Sequence, residues 1–120
     1  LADLCHSHGA LLKVIIETAL LTDADIIRAG RLAAEAGADF VKTSTGFAAR
    51  GASVDDIRLL RAHLPAHTRI KAAGGIRTRA QAEALLAAGA DRLGCSASVA
   101  IVTSLPEPTA PAPDANASVY

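Results

Sequence analysis

Apolar residues are concentrated in four short runs along the chain, and polar stretches with helical spacing separate the runs. The runs, at residues 11–17, 38–44, 69–72 and 92–95, contain mainly apolar and β-branched side chains and are too short for typical helices. Nearly continuous apolar runs of this length are typical of strands in a parallel sheet whose two faces are both covered. We therefore predict four strands at these positions.

Helix start and stop signals lie between the predicted strands. Gly37, Pro65 and Gly89 are placed where helices would end. A further helix is predicted at residues 98–105. The three remaining helices begin at hydroxyl residues that are followed three positions later by an acidic residue or a glutamine, which is the spacing of a capping box: Thr22 with Asp25, Ser53 with Asp56, and Thr78 with Gln81.

The strand and helix signals alternate as a repeat that is visible in the sequence itself. The segment AEAGADFVKTS at residues 34–44 parallels LAAGADRLGCS at residues 86–96. Repeated strand–helix units predict parallel strands that are joined by right-handed crossovers. Four units are too few to close a (β/α)8 barrel, which needs about 250 residues. We therefore predict an α/β fold in which residues 1–104 form part of such a barrel.

Composition excludes several classes of function. The chain is 51% hydrophobic and 20% charged, and its formal net charge is zero. A balanced charge and few aromatic residues argue against nucleic acid as a partner. No apolar run reaches the roughly 20 residues that a membrane span requires, so no membrane association is expected. Two cysteines are too few for a disulfide framework, and we expect a cytoplasmic protein.

The two ends of the chain lead to separate expectations. The chain begins with Leu1 and contains no methionine, so we expect it to be a fragment that lacks an N-terminal part. Residues 105–120 hold four of the five prolines and few apolar side chains. Such a segment buries too little surface to offset the entropy of ordering, so a flexible C-terminal tail is predicted.

The lysines are the first candidates for chemistry. The chain has three, Lys13, Lys42 and Lys71, at equal intervals and all within strand-like runs that we expect to be buried. A buried amine loses its proton more readily, and a neutral amine is a nucleophile that forms Schiff bases with carbonyl compounds. Lys71 lies one repeat after Lys42, and its charge would help to keep Lys42 neutral. The alternative is that both side chains extend past the strand ends to solvent.

Glycine-containing turns after the predicted strands are the second candidates. Thr45-Gly46, Gly74-Gly75 and Gly94-Cys95-Ser96 each follow a strand, and a helix begins soon after the last two. Backbone N–H groups at such turns and at helix N-termini bind anions, and glycine allows a ligand to approach closely. We therefore expect an anion site at the carboxyl edge of the sheet, near the lysines.

Three motifs resemble one enzyme family. The segments LLKVIIET at 11–18, DFVKTSTG at 39–46 and IKAAGGIRT at 70–78 resemble, in this order and spacing, the deoxyribose-phosphate aldolases. The resemblance covers residues 1–102 and implies strands five to eight, the C-terminal half of that family's barrel. It implies a class I aldolase that needs no metal or other cofactor. The implied reaction cleaves the sugar phosphate 2-deoxy-D-ribose 5-phosphate into D-glyceraldehyde 3-phosphate and acetaldehyde.

The resemblance also assigns roles to residues. Lys42 matches the Schiff-base lysine, and Lys71 matches the lysine that lowers its pKa and assists proton transfer. Lys13 matches an auxiliary polar residue or a structural lysine, and Tyr120 parallels a C-terminal tyrosine that enters the site in some members or is an inert chain end. The positions that match the neighbourhood of the substrate and its phosphate are Thr45, Gly46, Gly74, Gly75, Gly94 and Ser96.

Departures from the family pattern leave alternatives open. An aspartate that shares the proton transfers lies on an earlier strand of the family, and no residue here corresponds to it. Phe47 and Ala97 stand where some members have a lysine and a serine. The alternatives are another phosphate-binding barrel aldolase, or an inactive half-barrel whose exposed edges promote homo-oligomers. Residues 5–8, Cys-His-Ser-His, have no partner cluster, so no metal is expected.

Overall fold

The computed structural model describes residues 1–104 as four strand–helix units. The expected tail at 105–120 and Tyr120 lie outside the described residues. The elements, in chain order, are α1 (Ala2–Ser7), β1 (Lys13–Ile15), a 3₁₀ turn (Thr18–Leu20), α2 (Asp23–Glu35), β2 (Phe40–Lys42), α3 (Val54–His63), β3 (Arg69–Ala73), α4 (Arg79–Ala87), β4 (Arg92–Gly94) and α5 (Ser98–Thr103).

The strands form one parallel sheet in the order β1-β2-β3-β4. Val14 pairs with Val41, Val41 with Ile70, and Ala72 with Leu93. The predicted parallel α/β architecture is therefore confirmed for the described residues. Strands β1 and β4 are the edges of this sheet.

Strands β1 and β2 are shorter than their apolar runs predicted. Interstrand hydrogen bonds nevertheless continue beyond them, since Ile16 N–H donates to Lys42 O at 3.0 Å and Thr18 N–H donates to Thr43 O at 2.8 Å. Between these donors, Glu17 adopts a left-handed conformation with φ of +53°. That residue interrupts the strand geometry, which the apolar pattern alone could not show.

The hydrophobic core lies between the sheet and its helices. Val41, Ile70 and Ala72 are fully buried on one face of the sheet. Ile57 and Leu60 of α3 are also fully buried in the same cluster. Alternate strand residues point to opposite faces, so the side chains at positions 13, 40, 42, 69, 71 and 92 lie on the other face. We call this second face the inner face.

The predicted helix starts are confirmed. The side chains of Thr22 and Ser53 accept hydrogen bonds from the N–H groups of Asp25 and Asp56, respectively. Thr78 and Gln81 form a complete capping box at the start of α4. Helix α5 ends at Thr103, two residues before the predicted end.

The repeated Gly-Ala-Asp motif has a structural explanation. The Asp39 carboxylate accepts a hydrogen bond from Leu12 N–H at 2.8 Å, and the Asp91 carboxylate accepts one from Ile70 N–H at 2.7 Å. Each aspartate therefore ties the beginning of its own strand to the preceding strand. The His6 ring nitrogen Nε2 donates to the Asp39 carboxylate at 2.8 Å, which gives this histidine a surface partner.

Two classes of feature are not found in the part of the chain that the structure describes. Residues 1–104 contain no helix that is long and apolar enough to cross a membrane. The same residues contain no group of three or more His, Cys, Asp or Glu side chains placed to hold a metal ion.

Candidate active site

The inner face of the sheet carries five cations: Lys13, Lys42, Arg69, Lys71 and Arg92. Phe40 lies among them and is only 2% exposed. The guanidinium carbons of Arg69 and Arg92 lie 4.2 Å and 4.5 Å from the centroid of its ring. Cation–π contacts of this kind stabilise positive charge beside an apolar group. Positive charge is therefore concentrated on this face.

Lys42 and Lys71 are register partners on adjacent strands. Their side chains therefore lie on the same face of the sheet, as the repeat predicted. Burial and the neighbouring cations Lys13, Lys42 and Arg92 lower the pKa of Lys71. The sequence argument placed a lowered pKa on Lys42, and that part stays a prediction. The structure shows an amine pair in which the charge of Lys42 contributes to the lowered pKa of Lys71.

The expectation that all three lysines are buried is wrong for Lys13. Lys42 and Lys71 are half-buried, whereas Lys13 is exposed. Strand β1 is an edge of the described sheet, so no described strand shields the outer side of Lys13. Lys13 nevertheless influences the site, because its positive charge contributes to the lowered pKa of Lys71.

A cavity of about 740 Å³ opens at the carboxyl edge of the sheet. It brings together seven of the predicted site residues: Lys42, Thr45, Gly46, Gly74, Gly75, Gly94 and Ser96. Lys71 and Lys13 are not part of its wall. Sequence reasoning missed one charged wall residue, Arg77. Within residues 1–104, Lys42 and Arg77 are the charged side chains of the wall and no carboxylate contributes to it, so the cavity favours an anion.

Glycine is required at the turns that form this wall. Gly46, Gly74 and Gly75 have φ of +101°, +85° and +74°, a region that residues with a Cβ atom rarely adopt. A Cβ atom at Gly51 would lie 2.0 Å from the Gly74 carbonyl oxygen. Ala52 N–H, next in the chain, donates to that oxygen at 3.2 Å. The loop before α3 is therefore pressed against the Gly74-Gly75 turn.

Gly94 makes room for the second lysine. A Cβ atom there would lie 2.9 Å from Lys71 Cε and 3.5 Å from Lys71 Nζ. The Lys71 side chain therefore passes over Gly94, which also lines the cavity. This contact places Lys71 directly beside the cavity wall.

A carboxylate behind the wall holds the turn after β2. Glu17 accepts hydrogen bonds from Thr45 N–H, at 3.0 Å, and from the Thr45 hydroxyl. Thr45 lies in the turn after the neighbouring strand β2, so the register between β1 and β2 decides whether Glu17 can reach it.

An ion pair between an exposed arginine and a buried aspartate fixes the following loop. Arg50 pairs with Asp56, and Thr18 donates to the same carboxylate at 2.8 Å. Burial raises the pKa of Asp56, but the hydrogen bonds from Arg50, Thr18 and Ser53 outweigh it, so the pKa is lowered. This network ties the loop after β2 to the 3₁₀ turn and to α3. The capping pattern at Ser53 and Asp56 signalled only the helix start.

Comparison with known proteins places the chain in a family. Residues 1–102 match the family described as DeoC/LacD family aldolase. The chain is 59% identical over 93 residues to deoxyribose-phosphate aldolase of Bacillus cereus (strain AH820), covering 78% of this chain and 42% of the relative. It is 56% identical over 97 residues to deoxyribose-phosphate aldolase of Lactiplantibacillus plantarum, covering 81% and 45%.

A solved structure shows the same fold. The deoxyribose phosphate aldolase of Aeropyrum pernix, described as having a unique tetrameric structure, superposes with a TM-score of 0.76 at 37% identity. The match covers 83% of this chain and 43% of that one. The chain thus spans less than half the length of the relatives that it matches. Its motifs, its parallel sheet and its match over residues 1–102 show that this chain belongs to the DeoC/LacD family of aldolases.

Proposed function

We propose that this chain forms strands five to eight of a (β/α)8 barrel and carries the Schiff-base lysine of a deoxyribose-phosphate aldolase. The reaction proposed is the reversible cleavage of 2-deoxy-D-ribose 5-phosphate to D-glyceraldehyde 3-phosphate and acetaldehyde. One observation carries the proposal: Lys42 lines the same cavity as the glycine turns and has Lys71 as its register partner. A nucleophilic amine and an anion site therefore share one space.

The phosphate group fits the end of the cavity that the glycine turns form. Gly74 and Gly75 form part of the cavity wall in the turn before α4, and backbone N–H groups at such glycine turns bind anions. Arg77 adds a guanidinium to the same wall, and its N–H groups suit phosphate oxygens. Binding at this end would hold the sugar carbonyl near Lys42, which lowers the entropic part of the barrier.

The proposed reaction begins at Lys42. The neutral amine attacks C1 of the open-chain aldehyde, and loss of water gives a protonated imine. The 3-hydroxyl loses its proton, the C2–C3 bond breaks, and its electron pair moves into the imine to form an enamine. Glyceraldehyde 3-phosphate leaves. Protonation of the enamine at C2 and hydrolysis then release acetaldehyde and regenerate the Lys42 amine.

Lys71 would assist the proton transfers. A general acid or base works best when its pKa lies near the working pH, and burial with neighbouring cations moves the pKa of Lys71 in that direction. No carboxylate of residues 1–104 lines the cavity. We propose that a second proton-transfer group, an aspartate on an earlier strand in the family pattern, comes from outside these residues.

The isolated chain is proposed to turn over slowly. It spans 42% to 45% of the length of its curated relatives, and strands β1 and β4 are the edges of its sheet. Unpaired strand edges promote association, so we expect the isolated chain to form oligomers.

Trapping with the sugar phosphate tests the proposal. The chain is incubated with 2-deoxy-D-ribose 5-phosphate and borohydride, and the covalent adduct is measured by intact mass. We expect an adduct that Lys42→Arg abolishes and that the matched control Lys13→Arg retains. An equal adduct in wild type and Lys42→Arg would contradict the proposal. A monomer with the activity of a full-length relative would contradict the expectation of slow turnover.

A further inference from the structure

Glu17 has a backbone conformation that is costly for its residue type. Its φ and ψ are +53° and +68°, and among the described residues it is the non-glycine with positive φ. Left-handed conformations place Cβ close to the backbone and are avoided by residues other than glycine and asparagine. A strained backbone conformation at the edge of a site indicates that the side chain of that residue has a role at the site.

The Glu17 carboxylate makes its contacts across the sheet. One oxygen, Oε2, accepts from both the N–H and the hydroxyl of Thr45. The other, Oε1, is buried and has no hydrogen-bond partner within residues 1–104. The Thr45 hydroxyl oxygen in turn accepts from Phe47 N–H at 3.3 Å. The carboxylate therefore closes the turn formed by residues 45–47.

These bonds determine which backbone donor remains at the turn. The N–H of Thr45 is committed to Glu17, and the N–H of Phe47 is committed to Thr45. The intervening Gly46 N–H donates to no group within the described part of the chain. Gly46 lines the cavity and has φ of +101°.

We propose that Glu17 is a positioning residue for the phosphate end of the cavity. Its carboxylate holds Thr45 and leaves the Gly46 N–H as the donor of this turn for a phosphate oxygen. Glu17 does not itself touch the ligand. The inference rests on the proposed function to the extent that the cavity must hold a phosphate.

The test uses inorganic phosphate and the 120-residue chain, because all the wall residues named above belong to this chain. Phosphate affinity is measured by titration of the amide signals of Thr45 and Gly46. Glu17→Gly removes the carboxylate and relieves the backbone conformation, so the unfolding midpoint should not fall. We expect phosphate affinity to fall about tenfold, as for one weakened hydrogen bond to a charged group.

Matched variants separate the positioning role of Glu17 from the effect of losing any one carboxylate. Glu35→Gln removes one exposed carboxylate elsewhere and should leave phosphate affinity unchanged. Thr45→Val removes the hydroxyl that Glu17 binds. The double variant with Glu17→Gly and Thr45→Val should bind phosphate only slightly more weakly than the weaker-binding of the two single variants, since the effects of residues in contact are not additive. Hydrogen exchange at the Thr45 amide should speed up in Glu17→Gly, because that N–H loses its acceptor.

Each result decides a different point. Equal phosphate affinity in wild type and Glu17→Gly would overturn the positioning role and leave the phosphate site intact. Failure of the wild type to bind phosphate would overturn both. If Glu17→Gly does not fold, Glu17→Gln is measured in its place. Its amide can satisfy only part of the Thr45 contacts, so about a threefold loss is expected, and no loss would overturn the inference.

Discussion

The two faces of the sheet are built from opposite kinds of side chain. Ile70 and Lys71 are neighbours in β3, yet Ile70 is fully buried against the helices and Lys71 lies among four other cations. Burial of apolar side chains on the face that packs against the helices stabilises the fold. The inner face instead partly buries Lys71 close to other cations. Burial and these like charges lower the pKa of Lys71, which costs stability while its ammonium form is present. Stability and chemistry are thus divided between the two faces.

Substitutions of these two neighbouring residues should show the largest difference in stability between the two faces. Ile70→Ala removes a fully buried side chain and should lower the free energy of unfolding by about 2–5 kcal/mol. Lys71→Met keeps the length of the side chain and removes one of the crowded charges, so stability should change by less than about 1 kcal/mol. Chemical denaturation measures both. A loss for Lys71→Met as large as that for Ile70→Ala would contradict the division.

Alanine substitutions at two glycines test which contacts shape the cavity. Gly51→Ala would place its Cβ 2.0 Å from a backbone oxygen of Gly74, and a backbone atom cannot move aside easily. We expect phosphate affinity, measured by titration, to fall at least about tenfold because the Gly74-Gly75 turn must shift.

Gly94→Ala is the milder partner of that experiment. Its Cβ would meet Lys71 Cε at 2.9 Å and Ala73 Cβ at 3.2 Å. The lysine end is flexible and can move, so phosphate affinity should fall only about threefold or less. A larger effect for Gly94→Ala than for Gly51→Ala would show that the Gly51–Gly74 contact does not shape the cavity.

The pH dependence of stability should show the charge crowding on the inner face. The pKa of Lys71 is lowered in the folded state, so between that lowered pKa and about 10.5 the unfolded chain binds more protons. The free energy of unfolding attributable to Lys71 therefore rises with pH across this window, and the full penalty is present below it. Wild type and Lys71→Met are denatured at several pH values. The free energy of unfolding of the wild type minus that of the variant should rise with pH across this window.

A zero or negative slope in that difference would mean that the ammonium form of Lys71 is not disfavoured by folding. The comparison with Lys71→Met is needed because every other ionisable group is common to both proteins. It isolates the contribution of a single amine on the inner face.

Local sequence signals predicted much of the fold. The hydroxyl residues at 22, 53 and 78 predicted the helix starts because capping depends on residues three positions apart. The repeat predicted that Lys42 and Lys71 lie side by side, because equivalent positions in adjacent parallel units share a face. These inferences needed only short-range spacing and one rule of sheet geometry.

Contacts between distant residues could not be predicted in the same way. The contact of Glu17 with Thr45 depends on the register between β1 and the end of β2. The placement of Phe40 between Arg69 and Arg92 depends on three strands at once. Lys13 was expected to be buried because its run is apolar, but exposure is set by its place at the sheet edge.

The location of an acetaldehyde adduct tests the central claim most directly. The chain has three lysines, and each lies on the inner face. The chain is treated with limiting acetaldehyde and borohydride at neutral pH, and the ethylated peptides are quantified by mass spectrometry. We predict ethylation mainly at Lys42, the lysine that lines the cavity. Preferential ethylation at Lys71, or equal ethylation of all three lysines, would contradict the assignment of Lys42 as the Schiff-base residue.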